Sequence, residues 1–129
     1  MGRHGMRTIA ELRLASEMGR ERILANGLAH LKLEYDLCII DTAPTLGLLS
    51  INALVAAEEV LIPICPEYFS LKGIRLLEET MGSVRHNLSA CLTILGVLVT
   101  RTKKRVIADS ALDVITEHFG EKVLKTTIP

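Results

Sequence analysis

The stretch YDLCIIDTAPTLGLL, residues 35–49, decides the fold class of this chain. Its apolar run Leu37–Ile40 predicts a short strand that is buried on both faces of a sheet. The run ends at Asp41, a Thr-Ala-Pro turn follows, and Gly47 opens a segment whose pattern predicts a helix to Ala57. Parallel sheets bind ligands at the carboxyl ends of their strands, so Asp41 is the first candidate functional residue.

The composition is that of one domain of ordinary size, with 129 residues, 49% of them hydrophobic and 3% aromatic. A core of Leu, Ile, Val and Ala is typical of parallel sheets covered on both faces. The 15 basic and 15 acidic residues balance, so any affinity for nucleic acid must come from a local patch. Cys38, Cys65 and Cys91 show no metal or disulfide spacing, and we expect buried, reduced thiols.

No segment of the sequence predicts insertion into a membrane. The basic start MGRHGMRTIAEL is not followed by an apolar stretch, which argues against a signal peptide. The longest apolar region, Ala43–Pro66, is interrupted by Glu58 and Glu59. We therefore expect a cytoplasmic protein without a membrane partner.

Helical and strand patterns alternate along the chain. A strand followed by a helix four times over predicts a parallel sheet with right-handed crossovers, which is an α/β fold in a single domain over residues 1–129. Besides the segments above, the patterns predict three helices: Ile9–Leu33 with a break at Gly19, a helix from an N-cap at Ser70 to Leu88, and Ile107–Phe119 closed by Gly120. They also predict three strands, over Val60–Ile64, Leu92–Thr100 and Lys122–Thr126.

Two interpretations of Asp41 follow from its position. Mg²⁺ keeps several of its waters and takes few carboxylates, and an Asp behind an apolar strand supplies such a contact in nucleoside triphosphatases. An Asp at a strand-to-helix turn also serves as an Asx-turn or helix cap, without any ligand. The residue alone does not separate the two interpretations.

The wider pattern resembles the ParA/Soj family of chromosome and plasmid partition ATPases, relatives of MinD. YDLCIIDTAPTLGLLSINALVAAEEVLIPICPEYFSLKGIRLLEE follows the family's order of Tyr-Asp, apolar strand, Asp-x-Pro-Pro-Ser-Leu-Gly turn, Asn-Ala-Leu, second strand and Glu-Tyr pair. GVLVTRTKKRVIADSALDVITEHFGEKVLKTTIP is similar to its later strand, basic loop, helix and Ile-Pro ending. The resemblance covers residues 8–129 and implies an incomplete P-loop NTPase-like sheet with flanking helices.

Asp41 is, by this resemblance, the Walker-B aspartate, with a catalytic role through a water of Mg²⁺. Thr42, Pro44 and Gly47 belong to the nucleotide and switch turn, in which Ala43 replaces one of the family's prolines. The implied cofactors are ATP and Mg²⁺.

The family's Lys-Gly-Gly-x-Gly-Lys-Thr loop, which holds the phosphates, has no counterpart in these 129 residues. The family's water-positioning aspartate and adenine-contacting segment are also absent. Phosphoryl transfer depends on positioning and charge stabilisation, which that loop, its lysine and Mg²⁺ provide. We therefore expect the isolated chain neither to bind ATP saturably nor to hydrolyse it.

The loop RTKKR, residues 101–105, follows a predicted strand at the ligand-binding edge. On composition alone it reads as a solvated basic loop. The resemblance implies more, because Arg105 matches an arginine that the family uses for non-specific DNA binding by its nucleotide-bound dimer. Lys103 and Lys104 add charge where the family has an acidic residue, so the candidate DNA-binding residues are Arg101, Lys103, Lys104 and Arg105.

The function implied is that of a partition protein whose ATP-dependent dimerisation and non-specific DNA binding move DNA cargo. Its partners would be a second copy of itself, DNA and a ParB-like protein, and it would associate with the nucleoid. One alternative is a non-enzymatic oligomerising or partner-binding module derived from the same fold. A phosphoacceptor receiver domain is a second alternative, but its acidic pair after the first strand and its lysine after the fifth are not visible.

Overall fold

The structure is a computed structural model that describes residues 9, 12–66, 70–88, 91–100 and 106–129. Two compact units make up the chain. The first comprises Met1–Glu58 with Thr80–Leu92, and the second comprises Glu59–Glu79 with Thr93–Pro129. That residues 1–129 function as one partial domain stays a prediction.

The second unit contains a parallel sheet in the order β1-β2-β3. Its strands are β1 (Glu59–Ile64), β2 (Thr93–Thr100) and β3 (Val123–Ile128). Ile62 lies opposite Val97, which in turn lies opposite Val123. These strands confirm the α/β class and three of the predicted strands, with each boundary shifted by two residues or fewer.

Three of the predicted helices are confirmed, whereas the one predicted over Ile9–Leu33 is α-helical only at residues 9 and 12–15 and over Ile23–Leu28 among the described residues. The helices with defined bounds are α1 (Ile23–Leu28), α2 (Leu48–Ala56), α3 (Leu71–Asn87) and α4 (Val106–Phe119), with 3₁₀ turns at Arg20–Arg22, Leu31–Leu33 and Gly120–Lys122.

Local signals set the ends of these helices. Gly19, with φ of 68°, provides the predicted break before α1, because a left-handed backbone suits glycine. Ser70 caps α3, since its hydroxyl oxygen accepts the Gly73 N–H at 3.4 Å. Gly120, with φ of 55°, closes α4.

One face of the sheet packs against α3 and α4. Burying apolar side chains on this face supplies the stabilisation of the second unit, at about 25 cal/mol per Å² of apolar surface. The buried cluster consists of Ile62 and Ile64 from β1, Val97 from β2, Ile74 from α3, and Ile115 and Phe119 from α4.

The opposite face of the sheet is more exposed than expected. Side chains alternate along a strand, so Leu61 points away from the cluster that contains Ile62 and Ile64. Leu61 is 44% exposed, and Leu124 on β3 is exposed as well. The expectation of a sheet covered on both faces is therefore wrong for this surface.

The prediction of a strand over Leu37–Ile40 is wrong in this structure. These residues pair with no strand among the described residues, and Leu37 and Ile39 are 75% and 84% exposed. The physical reason is that a strand forms only where a neighbouring strand takes up its backbone N–H and C=O groups. The thiols of Cys38 and Cys91 are exposed and that of Cys65 is half-buried, so the expectation of buried thiols is wrong for the first two.

The first unit is built on α2 and the C-terminal half of α3. Its buried apolar residues are Ala53, Leu54 and Val55 from α2, Met81 and Val84 from α3, and Leu92. The Arg22 guanidinium donates to the Leu88 carbonyl at the end of α3, which joins the turn before α1 to this core.

Candidate functional site

Asp41 lies on an exposed stretch of backbone between residues 37–40 and the turn that leads into α2. Gly47 is the N-cap of α2 with an extended backbone, and its carbonyl accepts the Ile51 N–H at 3.0 Å. The Ser50 hydroxyl donates to the Thr45 carbonyl and ties the turn to the first turn of the helix. The turn after Asp41 therefore has a defined geometry relative to α2.

Asp41 lines a cavity of about 280 Å³ within the first unit. The turn and the helices both contribute polar and apolar residues to its lining. The lining residues are Leu24, Ile40, Asp41, Thr42, Ala43, Thr45, Leu49, Ser50 and Ala53.

Asn52 links α1 and α2, the two helices that contribute residues to the lining of this cavity. It is 3% exposed, and its Nδ2 donates to the Arg20 carbonyl at 2.7 Å and to the Leu48 carbonyl at 3.0 Å. Its Oδ1 accepts the Leu24 N–H at 3.1 Å. That N–H belongs to the first turn of α1, where a helix has no partner of its own, so Asn52 caps α1 from α2.

The oxygen-bearing side chains that line the cavity suit the metal side of a metal-nucleotide complex. A carboxylate and hydroxyl oxygens from Asp41, Thr42 and Thr45 are hard ligands of the kind that a hydrated Mg²⁺ accepts. The described residues of the lining include no Lys or Arg, and the cavity volume lies just below the roughly 300 Å³ at which ligand pockets begin. The residues present thus fit a water-mediated Mg²⁺ contact, but they do not fit a triphosphate.

A dedicated metal centre is a different kind of site. Among the residues that the structure describes, no group of three or more His, Cys, Asp or Glu side chains is arranged to hold a metal ion. In the same part of the chain, no helix has the length and apolar character needed to cross a membrane.

The structure brings some of the predicted residues together. Asp41 and Thr42 line the cavity, whereas Pro44 and Gly47 lie in the adjoining turn and do not line it. β2 ends at Thr100, directly before the basic loop. The DNA-binding candidates Arg101, Lys103, Lys104 and Arg105 lie outside the described residues.

Sequence reasoning assigned no role to Ser50 and Asn52. The signal for both was present, because they are polar residues in the otherwise apolar helix LLSINALVA. Polar side chains that are buried in an apolar helix are expected to be hydrogen-bonded, and both are.

Comparison with known proteins relates this site to a family. A family profile described as an AAA domain matches residues 6–94. The chromosome-partitioning ATPase Soj of Treponema pallidum (strain Nichols) is 40% identical over 121 residues, which cover 93% of this chain and 48% of that protein. The chromosome partitioning protein ParA of Myxococcus xanthus (strain DK1622) is 38% identical over 123 residues, which cover 95% and 44%.

Solved structures show the same fold. Cobyrinic acid a,c-diamide synthase from Mycobacterium smegmatis, with a bound ATP analog and magnesium, superposes with a TM-score of 0.83 at 32% identity, over 93% of this chain and 50% of that one. A plasmid partition protein from Borrelia burgdorferi gives a TM-score of 0.71 at 26% identity, over 88% and 46%. The chain thus has a P-loop NTPase-like fold and spans about half the length of these proteins.

Proposed function

We propose, because this chain belongs to the ParA/Soj family, that it acts as a ParA-like partition protein. In this role it would dimerise with ATP, bind DNA without sequence preference and help to move DNA cargo together with a ParB-like partner. The supporting observation is that Asp41 lines the cavity and that the residues around it follow the family's motif order. We place the protein in the cytoplasm and, in its DNA-bound state, on the nucleoid.

Asp41 would contribute to this function by holding a water of Mg²⁺. Thr42 supplies a second oxygen on the same wall of the cavity, and Pro44 and Gly47 shape the switch turn. When bound with nucleotide, Mg²⁺ supplies positive charge that offsets the charge on the phosphates. The cavity lining offers no cation to the phosphates, which supports the proposal that the chain by itself lacks a complete ATPase site.

Binding to DNA tests this function directly. We expect the chain to bind two DNA duplexes of equal length and unrelated sequence with the same affinity at low salt, because phosphate contacts carry no sequence information. Fluorescence anisotropy with both duplexes, each competed by the other, measures this. A marked preference for one duplex, or no binding to either at low salt, would contradict the proposed DNA role.

A non-enzymatic oligomerising module is the second candidate function. The observation that favours it is the exposure of Leu37 and Ile39 in the apolar segment before Asp41. Concentration-dependent association without nucleotide, together with no response to ATP and DNA, would favour this candidate over the partition role.

A further inference from the structure

Ser50 is a buried residue at the start of α2 whose side-chain hydrogen bond leaves the helix. It is 7% exposed and is the third residue of the helix. A serine inside a helix commonly donates to a carbonyl three or four residues earlier, within the helix. The Ser50 hydroxyl instead donates to the carbonyl of Thr45, five residues earlier and before the helix begins. The bond therefore joins α2 to the turn that follows Asp41.

The chemistry of this bond fixes its direction and its effect. A carbonyl oxygen can only accept, so the hydroxyl proton of Ser50 lies between the two groups. Thr45 is an exposed residue, and the carbonyl of an exposed turn ordinarily bonds to water. Water would leave the turn free to shift, whereas a buried hydroxyl on a helix holds the Thr45 carbonyl in one place.

The helix that carries Ser50 is itself anchored within the same unit. The Nδ2 of Asn52 donates to the carbonyl of Leu48, the first residue of α2, and to that of Arg20. Its Oδ1 accepts the N–H of Leu24 in α1. A side chain positions its target well only when its own support is rigid, and these three bonds provide that support.

We propose that Ser50 is a positioning residue for the Asp41 site, because it holds the Thr45 end of the turn against α2. Asp41, Thr42 and Thr45 line one cavity together with Ser50 itself. Fixing one end of so short a turn limits where its other end, the Asp41 carboxylate, can lie. The role given to Ser50 deepens the proposed function, and its consequence for a metal rests on the water-mediated Mg²⁺ contact proposed for Asp41.

The order of the turn in the full chain tests the proposal without any ligand. In wild type we expect amide order parameters of Thr45, Leu46 and Gly47 near that of rigid backbone, about 0.85, and in Ser50→Ala below about 0.6. Ser50→Thr keeps the hydroxyl and should restore the wild-type values. Unchanged order in Ser50→Ala, or a folded Ser50→Thr variant whose turn stays mobile, overturns the proposal.

Val84→Ala is the control for a loss of stability alone. Val84 is 3% exposed in the core of the first unit, so this substitution removes buried apolar contacts and leaves the Ser50 hydrogen bond in place. The midpoint of thermal unfolding should fall while the turn keeps its wild-type order parameters. Ser83→Ala removes a hydroxyl from an exposed position on α3 and should change neither quantity. Equal loss of order in Val84→Ala and Ser50→Ala overturns the proposal.

Bound Mn²⁺, which stands in for Mg²⁺, reports the consequence for the site. In the wild-type chain we expect the amide resonances of Asp41 and Thr45 to broaden together, because both residues line one cavity. Paramagnetic broadening falls steeply with distance from the metal. In Ser50→Ala the Asp41 resonance should therefore still broaden, whereas the Thr45 resonance should lose its broadening. Broadening of both resonances as in wild type overturns the proposal.

Failure of the proposed metal contact gives a different result. If no broadening in the wild-type chain depends on Asp41, the metal contact is wrong, and the order parameters still decide the role of Ser50. If Asp41 binds Mn²⁺ and the turn is equally rigid in every variant, the metal contact stands and the role of Ser50 is wrong.

Discussion

The side-chain amide nitrogen of Asn52 lies 2.7 Å from the carbonyl oxygen of Arg20, 32 residues earlier in the chain. Because Asn52 also caps Leu24 and is nearly fully buried, each of its hydrogen bonds replaces one that water would make in the unfolded chain. We expect Asn52→Ala to lower the free energy of unfolding by about 1–3 kcal/mol, the cost of leaving buried backbone groups unsatisfied. Urea unfolding followed by circular dichroism measures this.

Asn87→Ala is the matched control for that change. Asn87 also lies on a helix, and its Nδ2 donates to the Ser83 carbonyl four residues earlier at 3.0 Å, but the residue is exposed. Water can replace its hydrogen bond, so the free energy of unfolding should change by no more than about 0.5 kcal/mol. Equal effects of the two substitutions would contradict the role given to Asn52.

A second prediction concerns Gly96, where β2 and β3 approach closely. An added Cβ at this position would lie 2.9 Å from Leu124 Cδ2 and 3.2 Å from the Lys122 carbonyl oxygen. The backbone oxygen cannot move as a flexible side chain can, so we expect Gly96→Ala to cost about 1–3 kcal/mol in the free energy of unfolding. Thermal unfolding followed by circular dichroism measures this.

Gly82→Ala is the comparison variant, for which we expect the opposite change in the free energy of unfolding. Gly82 lies inside α3, and a Cβ there meets nothing within 4 Å. Alanine is the better helix former, so we expect stabilisation by about 0.5–1 kcal/mol. A Gly96→Ala variant that unfolds at or above the wild-type temperature would show that β2 and β3 have room to separate.

The sheet of the second unit could be predicted because its signals are local. An apolar run bounded by turn residues marks β1 and β2, β3 follows the turn at Gly120, and Ser70 and Gly120 mark helix ends. Leu37–Ile40 has the same local signal, but it lacks a neighbouring strand in the described structure. Strand formation requires a partner from elsewhere in the chain, and a local pattern does not specify whether one is available.

The candidate site could be predicted only in part for a related reason. The position of Asp41 after an apolar run is a local feature, and its place at a cavity followed from it. The bond from Asn52 to Arg20 joins residues far apart in sequence, so no local pattern indicates it. That the isolated chain does not bind ATP saturably stays a prediction from the sequence, which has no Gly-Lys-Thr motif.

A third prediction concerns ligands of Asp41. We expect Mn²⁺, used in place of Mg²⁺, to broaden the amide resonances of Asp41, Thr42, Ala43 and Thr45, with weak affinity because the site offers one carboxylate. The broadening should disappear in Asp41→Asn and persist in the control Asp36→Asn, an exposed carboxylate five residues earlier. Equal broadening in both variants would indicate only non-specific attraction to carboxylates.

The same site should not bind ATP saturably in the isolated chain. Among the described residues no cationic side chain lines the cavity, so the phosphates would lose their hydration there without gaining a partner from these residues. Calorimetric titration with Mg-ATP should give no saturable heat. A micromolar isotherm that is lost in Asp41→Asn would show that the phosphates find their ligands elsewhere.

The last prediction concerns the basic loop after β2. Four of its five residues, Arg101, Lys103, Lys104 and Arg105, are positively charged on a chain with no net charge. If all four neutralise DNA phosphates, the logarithm of the affinity should fall against the logarithm of salt concentration with a slope of about −3 to −4. Arg105→Glu should weaken binding to every duplex sequence and make the slope shallower by about 1.

Arg75→Glu is the control for that charge reversal, because it changes the net charge equally at an exposed position on α3. It should leave the affinity for DNA and its salt dependence close to those of the wild-type chain, with both variants folded by circular dichroism. Equal losses of DNA affinity in the two variants would favour the interpretation of residues 101–105 as a solvated surface segment without a DNA contact.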